Sequence, residues 1–139
     1  MTYQTLEVGL RAFLLQQAGI ATLVGARVYP DILPQAPTYP AITLLRIAST
    51  RTFVHAGAST LARVRFQIDC WGRTYSQAHD LGDTIRRSMN GYRGSFQGTE
   101  VPGAFLRAEH DLYEPDGDVH RLSQDWEVWQ QEEAPRWQP

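Results

Sequence analysis

Five carboxylates, Glu109, Asp111, Glu114, Asp116 and Asp118, crowd one stretch near the C-terminus, with His110 and His120 on its two arms. Carboxylates at i and i+2 on a strand project to the same side, so Glu109 and Asp111 have the spacing to share a divalent ion. The rest of the pattern argues against that chemistry. Calcium-loop order is missing, and the histidines alternate to the face opposite the Glu109/Asp111 pair. An exposed polar face ending in an Asp-rich turn accounts for the cluster without a metal. Cys70 is the single cysteine. It falls on the apolar side of an alternating strand, where desolvation disfavours the thiolate, so it reads as packing and not as a nucleophile. Neither the Walker pattern nor the dinucleotide fingerprint occurs, and Gly91-Tyr92-Arg93-Gly94 reads as a helix exit. No catalytic residue, metal ligand or cofactor is expected.

The elements that would position any such groups fit one domain. A chain of 139 residues with 42% apolar and 20% charged positions has the composition of a globular protein, and one core is possible at that length. No apolar run approaches the roughly 20 residues of a membrane span, and the basic-then-apolar order of a secretory signal is missing, so work in or from the cytoplasm is expected. A single cysteine makes no internal disulfide, so packing must hold the fold. Net charge is −2 and no basic stripe occurs, which removes the electrostatic footprint of a nucleic-acid binder. All thirteen basic residues are arginine. Coding bias explains this most simply; bidentate pairing across subunit interfaces is the other reading.

Leu6, Leu10, Phe13 and Leu14 share one side of an opening helix, with Gly19 just past its expected end. Val28-Tyr29-Pro30 and Leu33-Pro34-Gln35-Ala36-Pro37 follow, and three prolines within eight positions predict an extended connector. A strand is expected over 41–48 and another over 63–70, where Val64, Phe66, Ile68 and Cys70 occupy one face and Arg63, Arg65, Gln67 and Asp69 the other. Thr74 caps a second helix, with Gln77 placed for a capping box, a stripe of Ala78, Leu81, Gly82, Ile85 and Met89, and Asn90-Gly91 as a left-handed stop. A short hairpin over 95–101 and an antiparallel pair, 104–113 with 119–129, complete the set; Pro115-Asp116-Gly117 turns between the last two, with glycine accepting the positive φ. His79 and Asp80 fit a solvated helix face. Trp71, Trp126, Trp129 and Trp137 read as core and sheet-edge fillers, since no Arg/Lys-aromatic interleaving supports single-strand binding. The expected fold is α+β: one mainly antiparallel sheet packed by two amphipathic helices in a single domain over 1–129, with 130–139 as a loosely held tail.

Ser49 to Thr60 stands out as a segment too long for a tight turn, and it reads as a loop of functional length. Arg51, Thr52, Phe53, Val54 and His55 would leave apolar and cationic groups exposed unless a partner covers them, which makes them the candidate interface. Packing of Phe53 beneath its own loop is the alternative.

Four passages, taken in order, carry a family likeness: Leu23-Val24-Gly25-Ala26-Arg27-Val28-Tyr29-Pro30 with Leu33-Pro34-Gln35; Tyr39-Pro40-Ala41-Ile42; Val64-Arg65-Phe66-Gln67-Ile68-Asp69-Cys70-Trp71; and Glu109-His110-Asp111-Leu112-Tyr113-Glu114-Pro115. From about Leu10 to Trp129 the chain resembles the tail-completion or tail-terminator proteins of long-tailed bacteriophages. That resemblance implies a structural virion protein, not an enzyme. It further implies a six-fold ring at the head-proximal end of the tail that stops tube polymerisation, touches the tail-tube protein and the head connector, and lets DNA through its lumen unread. The extension after Trp129 departs from the pattern. Alternatives from the residues are a head-completion or adaptor protein of the neck, a small metal-dependent enzyme using the acidic hairpin, and a monomeric binding module.

Overall fold

The computed structural model describes residues 6–55 and 57–133, with backbone alone for 57–59. Helix α1, Leu6–Gln16, buries Leu6, Gly9, Leu10, Phe13 and Leu14, the side foreseen from their spacing. Gln17 is extended (φ −79°, ψ 114°), so the chain breaks there and restarts as α2, Ala18–Val24. Gly19 is therefore inside a helix and not a stop. A Cβ at Gly19 would sit 3.2 Å from Thr84 Cγ2, and the break turns α2 so that Ile20 and Val24 reach the core. Among the described residues the helical layer thus has three helices where two were expected.

The strands are β1 Val28–Pro30, β2 Ala41–Val54, β3 Gly57–Gly72, β4 Tyr92–Phe96, β5 Thr99–Glu114 and β6 Val119–Gln131, with α3, Tyr75–Met89, between β3 and β4. They form one six-stranded sheet in the order β1-β2-β3-β6-β5-β4. All neighbours are antiparallel except β1 and β2, which pair in parallel from Val28/Ile42 to Pro30/Leu44. The α+β, mainly antiparallel, single-domain reading holds.

Helices cover one face of the sheet. Val64, Phe66, Ile68 and Cys70 of β3 face them together with Leu122, Trp126 and Val128 of β6, all buried. The stripe of α3 (Ala78, Leu81, Gly82, Ile85 and Met89) packs on that surface. Each fully buried Leu, Ile or Phe of this layer contributes roughly 1.5–3 kcal/mol. Thr74 caps α3 by accepting from the Gln77 backbone N–H at 3.0 Å; the Gln77 side chain accepts from Arg73 N at 2.7 Å instead of closing the expected box on Thr74. Gly91 takes the positive φ (81°) that ends the helix. Among the buried polar side chains Gln124 has no exposure at all: it donates to Gly82 O and Glu109 Oε2, and accepts from Trp126 Nε1, each at 2.9 Å.

Four local expectations change. The proline-rich connector includes β1, a three-residue edge strand that ends on Pro30, where the missing N–H costs the sheet nothing. The segment from Ser49 to Thr60 is not a loop: β2 and β3 continue through it as paired strands to Val54/Gly57. In the 115–118 turn the left-handed residue is Asp118 (φ 47°), a short polar side chain that tolerates that conformation, and not Gly117. Strand β6 runs on to Gln131, two residues past the expected domain end, because Gln131 and Gln130 pair with Leu61 and Ala62. Glu132 and Glu133 follow the strand, and 134–139 of the expected tail, including Trp137, lie outside the described residues.

Candidate functional site

Strand β2 begins in the core and ends in solvent. Ala41 to Leu44 are buried, while Arg51 to Val54 and the turn residue His55 are all exposed. The partner strand leaves the sheet with it, since β3 pairs with β6 only from Gly72 back to Leu61. The β2–β3 hairpin therefore projects beyond its neighbour as a two-stranded arm. Phe53 is 86% exposed and Val54 55%, so Phe53 does not pack beneath its own segment. Arg51 is pinned at the base of the arm by a bidentate bond to Glu132, with both N–O distances 2.7 Å. That hydrogen bond, then the guanidinium charge, hold the Glu132 carboxyl below its ordinary value. All five sequence-selected residues are thus brought together on one arm, with Phe53 and Val54 as its free apolar groups and Arg51 as its brace.

The uncovered face of the sheet supplies a second surface, which sequence reading missed. Leu45, Ile47, Phe105 and Leu112 are exposed large apolar residues there, and Ile32 at 73% exposure flanks Leu45 and Trp71. For Leu45 and Ile47 the signal was present in the apolar run over 41–48, but a strand with both faces apolar cannot be told from a buried one by pattern. Between these groups the charges cancel in pairs. Arg65 meets Asp125 at 3.0 Å, Arg63 meets Glu127 at 3.9 Å, and Arg121 reaches Asp69 at 3.4 Å and Glu114 at 2.9 Å while stacking 4.9 Å over Trp71. On β3 and β6 three arginines thus face three carboxylates, and this face has little net charge.

The residues considered for chemistry are committed elsewhere. Glu109 is bound to Gln124, Asp111 to the His79 imidazole, Asp118 to the Tyr113 hydroxyl at 2.7 Å, and Glu114 to Arg121. His79 is therefore paired across to β5 and not simply solvated, and Tyr75 stacks on it at 4.1 Å. Among the described residues no group of three or more His, Cys, Asp or Glu side chains could hold a metal ion. Cys70 is fully buried, and burial, then the neighbouring Asp69 and Glu109 charges, push its thiol well above the ordinary value. It packs the core, as its strand position foretold. No helix among the described residues is long and apolar enough to cross a membrane.

A family model described as tail completion protein gp17 matches residues 8–131. The chain belongs to that family. It is a structural protein of phage tails and not an enzyme, and its place is the virion. Among solved structures, a chain from the virion of a native gene transfer agent particle superposes with a TM-score of 0.73 at 17% identity, covering 91% of this chain and 99% of that one. A second solved structure gives a TM-score of 0.51 at 13% identity, covering 96% and 100%. Both likenesses concern the fold. No curated protein matches the chain in sequence. For this tail completion protein the surfaces of interest are therefore those of assembly: the arm and the open sheet face.

Proposed function

We propose that this protein forms a closed homohexameric ring at the head-proximal end of the tail, where it stops polymerisation of the tail-tube protein and joins the tail to the head connector. The observation that carries the reading, beside family membership, is the β2–β3 arm. It holds Phe53 and Val54 in solvent on a braced two-stranded support, a costly exposure in a protein that acts alone. A ring of this kind needs heterologous contacts that close, each burying on the order of 1,000 Å² or more. The arm reaches a neighbouring subunit or the tube layer below through Arg51 to His55. The self-cancelling charges of the open face suit a lumen wall, because a strongly basic wall would bind DNA by counterion release and slow its exit. Assembly in the host cytoplasm precedes incorporation in the neck.

The test is to delete the gene in a particle-producing strain and image the debris by negative-stain electron microscopy. Overlong tails beside separate heads are the expected result. Normal-length tails beside leaking, unattached heads would move the protein to the head side of the neck, and intact particles would refute an assembly role.

A further inference from the structure

The sheet has two long strands whose outer edges are only half covered. On one side, β1 pairs with β2 from Ile42 to Leu44, and Asp31 N donates to Leu44 O at 2.7 Å. Beyond this point, from Arg46 to Val54, no described strand lies beside β2 on that edge. On the other side β4 pairs with β5 from Thr99 to Ala104, and Asn90 Oδ1 accepts from Leu106 N at 3.0 Å. From Arg107 to Glu114 the outer edge of β5 likewise has no strand among the described residues. The two free edges are nine and eight residues long and contain no proline. Rows of unpaired N–H and C=O groups of that length are templates for another strand.

Their placement is complementary. Ala41 aligns through Trp71 and Arg121 with Leu112, so the covered start of β2 lies level with the free end of β5. The free edges thus occupy opposite sides and opposite ends of the sheet. A second copy, shifted along the strand direction, sets its β2 edge against the β5 edge while its β1 falls beyond the β5 tip and its hairpin tip stops short of β4. The polarity also agrees. Counting across β2, β3, β6 and β5, the outer strands run in opposite directions, so a copy related by rotation about an axis inclined to the strands, as the shift along them requires in a closed ring, joins by ordinary antiparallel pairing. Register shifts at 46/48, 51/53 and 106/108 flank or interrupt the free stretches, and bulges of this kind give a sheet the curvature it needs to close. Charge follows the same division: the β2 edge holds two arginines and no carboxylate, the β5 edge three carboxylates and one arginine. Arg46, Arg51 and the three carboxylates already have partners within the chain, so they orient the approach while the backbone supplies the bonds.

We infer that neighbouring subunits join by strand addition, the 46–54 edge of one copy pairing with the 107–114 edge of the next, so that the sheets run on from subunit to subunit around the ring. The inference rests on the ring reading and names the bond that closes it.

The test is amide hydrogen exchange of the full-length protein, compared as free monomer and as assembled with purified tail tubes. Amides in both 46–54 and 107–114 should slow together by about tenfold or more on assembly. As a second readout, Thr50→Cys is combined in turn with Ala108→Cys, His110→Cys or Leu112→Cys. Within one chain these positions lie three strand spacings, about 14 Å, apart across the sheet, beyond the roughly 7 Å that a disulfide spans. Oxidation should therefore give a ladder of covalent multimers for at least one pairing. Assembled protein whose two segments exchange as in the monomer, with no cross-link in any pairing, would overturn strand addition and leave the ring reading standing. Protein that never associates with tubes would remove the ring reading and this inference with it.

Discussion

Phe53→Ala separates assembly from folding. A Phe side chain offers about 150–250 Å² for burial, and at 86% exposure roughly 170 Å² of it is still in water in the monomer. Covering all of that area at about 25 cal/mol per Å² sets an upper bound near 4 kcal/mol, and covering half gives about 2 kcal/mol per contact. A loss of about 2 kcal/mol weakens each contact roughly 30-fold, and the loss recurs at every contact of a closed ring. The monomer should scarcely notice, since an exposed side chain changes stability by no more than about 0.5 kcal/mol. Sedimentation across a concentration series, with and without tail tubes, reads the assembly; a thermal melt reads the fold. The expected outcome is a dissociation concentration raised at least 30-fold, on the order given above, with an unchanged melting temperature. Phe53→Ala rings that dissociate at the parental concentration would show that the arm tip stays in solvent and would refute the interface argument. Adding Arg51→Ala releases the brace to Glu132 and should deepen the defect while leaving the monomer folded.

Two further expectations concern stability. Gly9→Ala, which in a free helix would gain about 1 kcal/mol, should here cost about 1–3 kcal/mol, because the new Cβ would lie 2.7 Å from the Phe96 backbone oxygen and 2.8 Å from its Cβ; urea denaturation measures it, and a stabilised variant would disprove the tight approach of α1 to β4. Glu132 is held below its ordinary value of 4.5 in the folded state, so its bond to Arg51 contributes fully above that value and is lost as pH falls through the lowered one. The difference in melting temperature between parent and Glu132→Gln should then be constant near neutrality and vanish in acid, whereas a difference that persists in acid would mean the bond to Arg51 is not its source.

What could be read from the residues alone followed what is buried. Helix α3 was legible because a cap, a stripe and a glycine stop agree around one fifteen-residue helix, and β3 because Val64, Phe66, Ile68 and Cys70 alternate against a covered face. The arm was not legible as strands, since 51–55 are exposed on both faces and so show no period; backbone pairing and the Arg51–Glu132 bond hold it extended. Strand β1 was hidden for another reason: three residues ended by proline offer too short a pattern. The break at Gln17 follows from how α2 must turn to bring Ile20 and Val24 inward, a tertiary demand that local spacing does not carry. The exposure of the five candidate residues was legible from their types and setting, yet Arg51 looked free because its partner Glu132 is eighty-one positions away.

The buried Gln124 acts as an alignment key between the helical layer and the sheet. Its amide has one orientation that works: oxygen toward the Trp126 N–H, nitrogen toward the Gly82 carbonyl and the Glu109 carboxylate. Turning it over would set two donors face to face. Sliding α3 by one turn would bring Ala78 or Arg86 to the place of Gly82, where an added Cβ already lies 2.3 Å from Leu122 Cδ2, and would orphan buried groups at about 1–3 kcal/mol each. The same side chain ties Glu109, on the outer strand, to the middle of the helix. A displacement of that edge is therefore felt directly at α3, through two hydrogen bonds of one side chain, and not only along the strands.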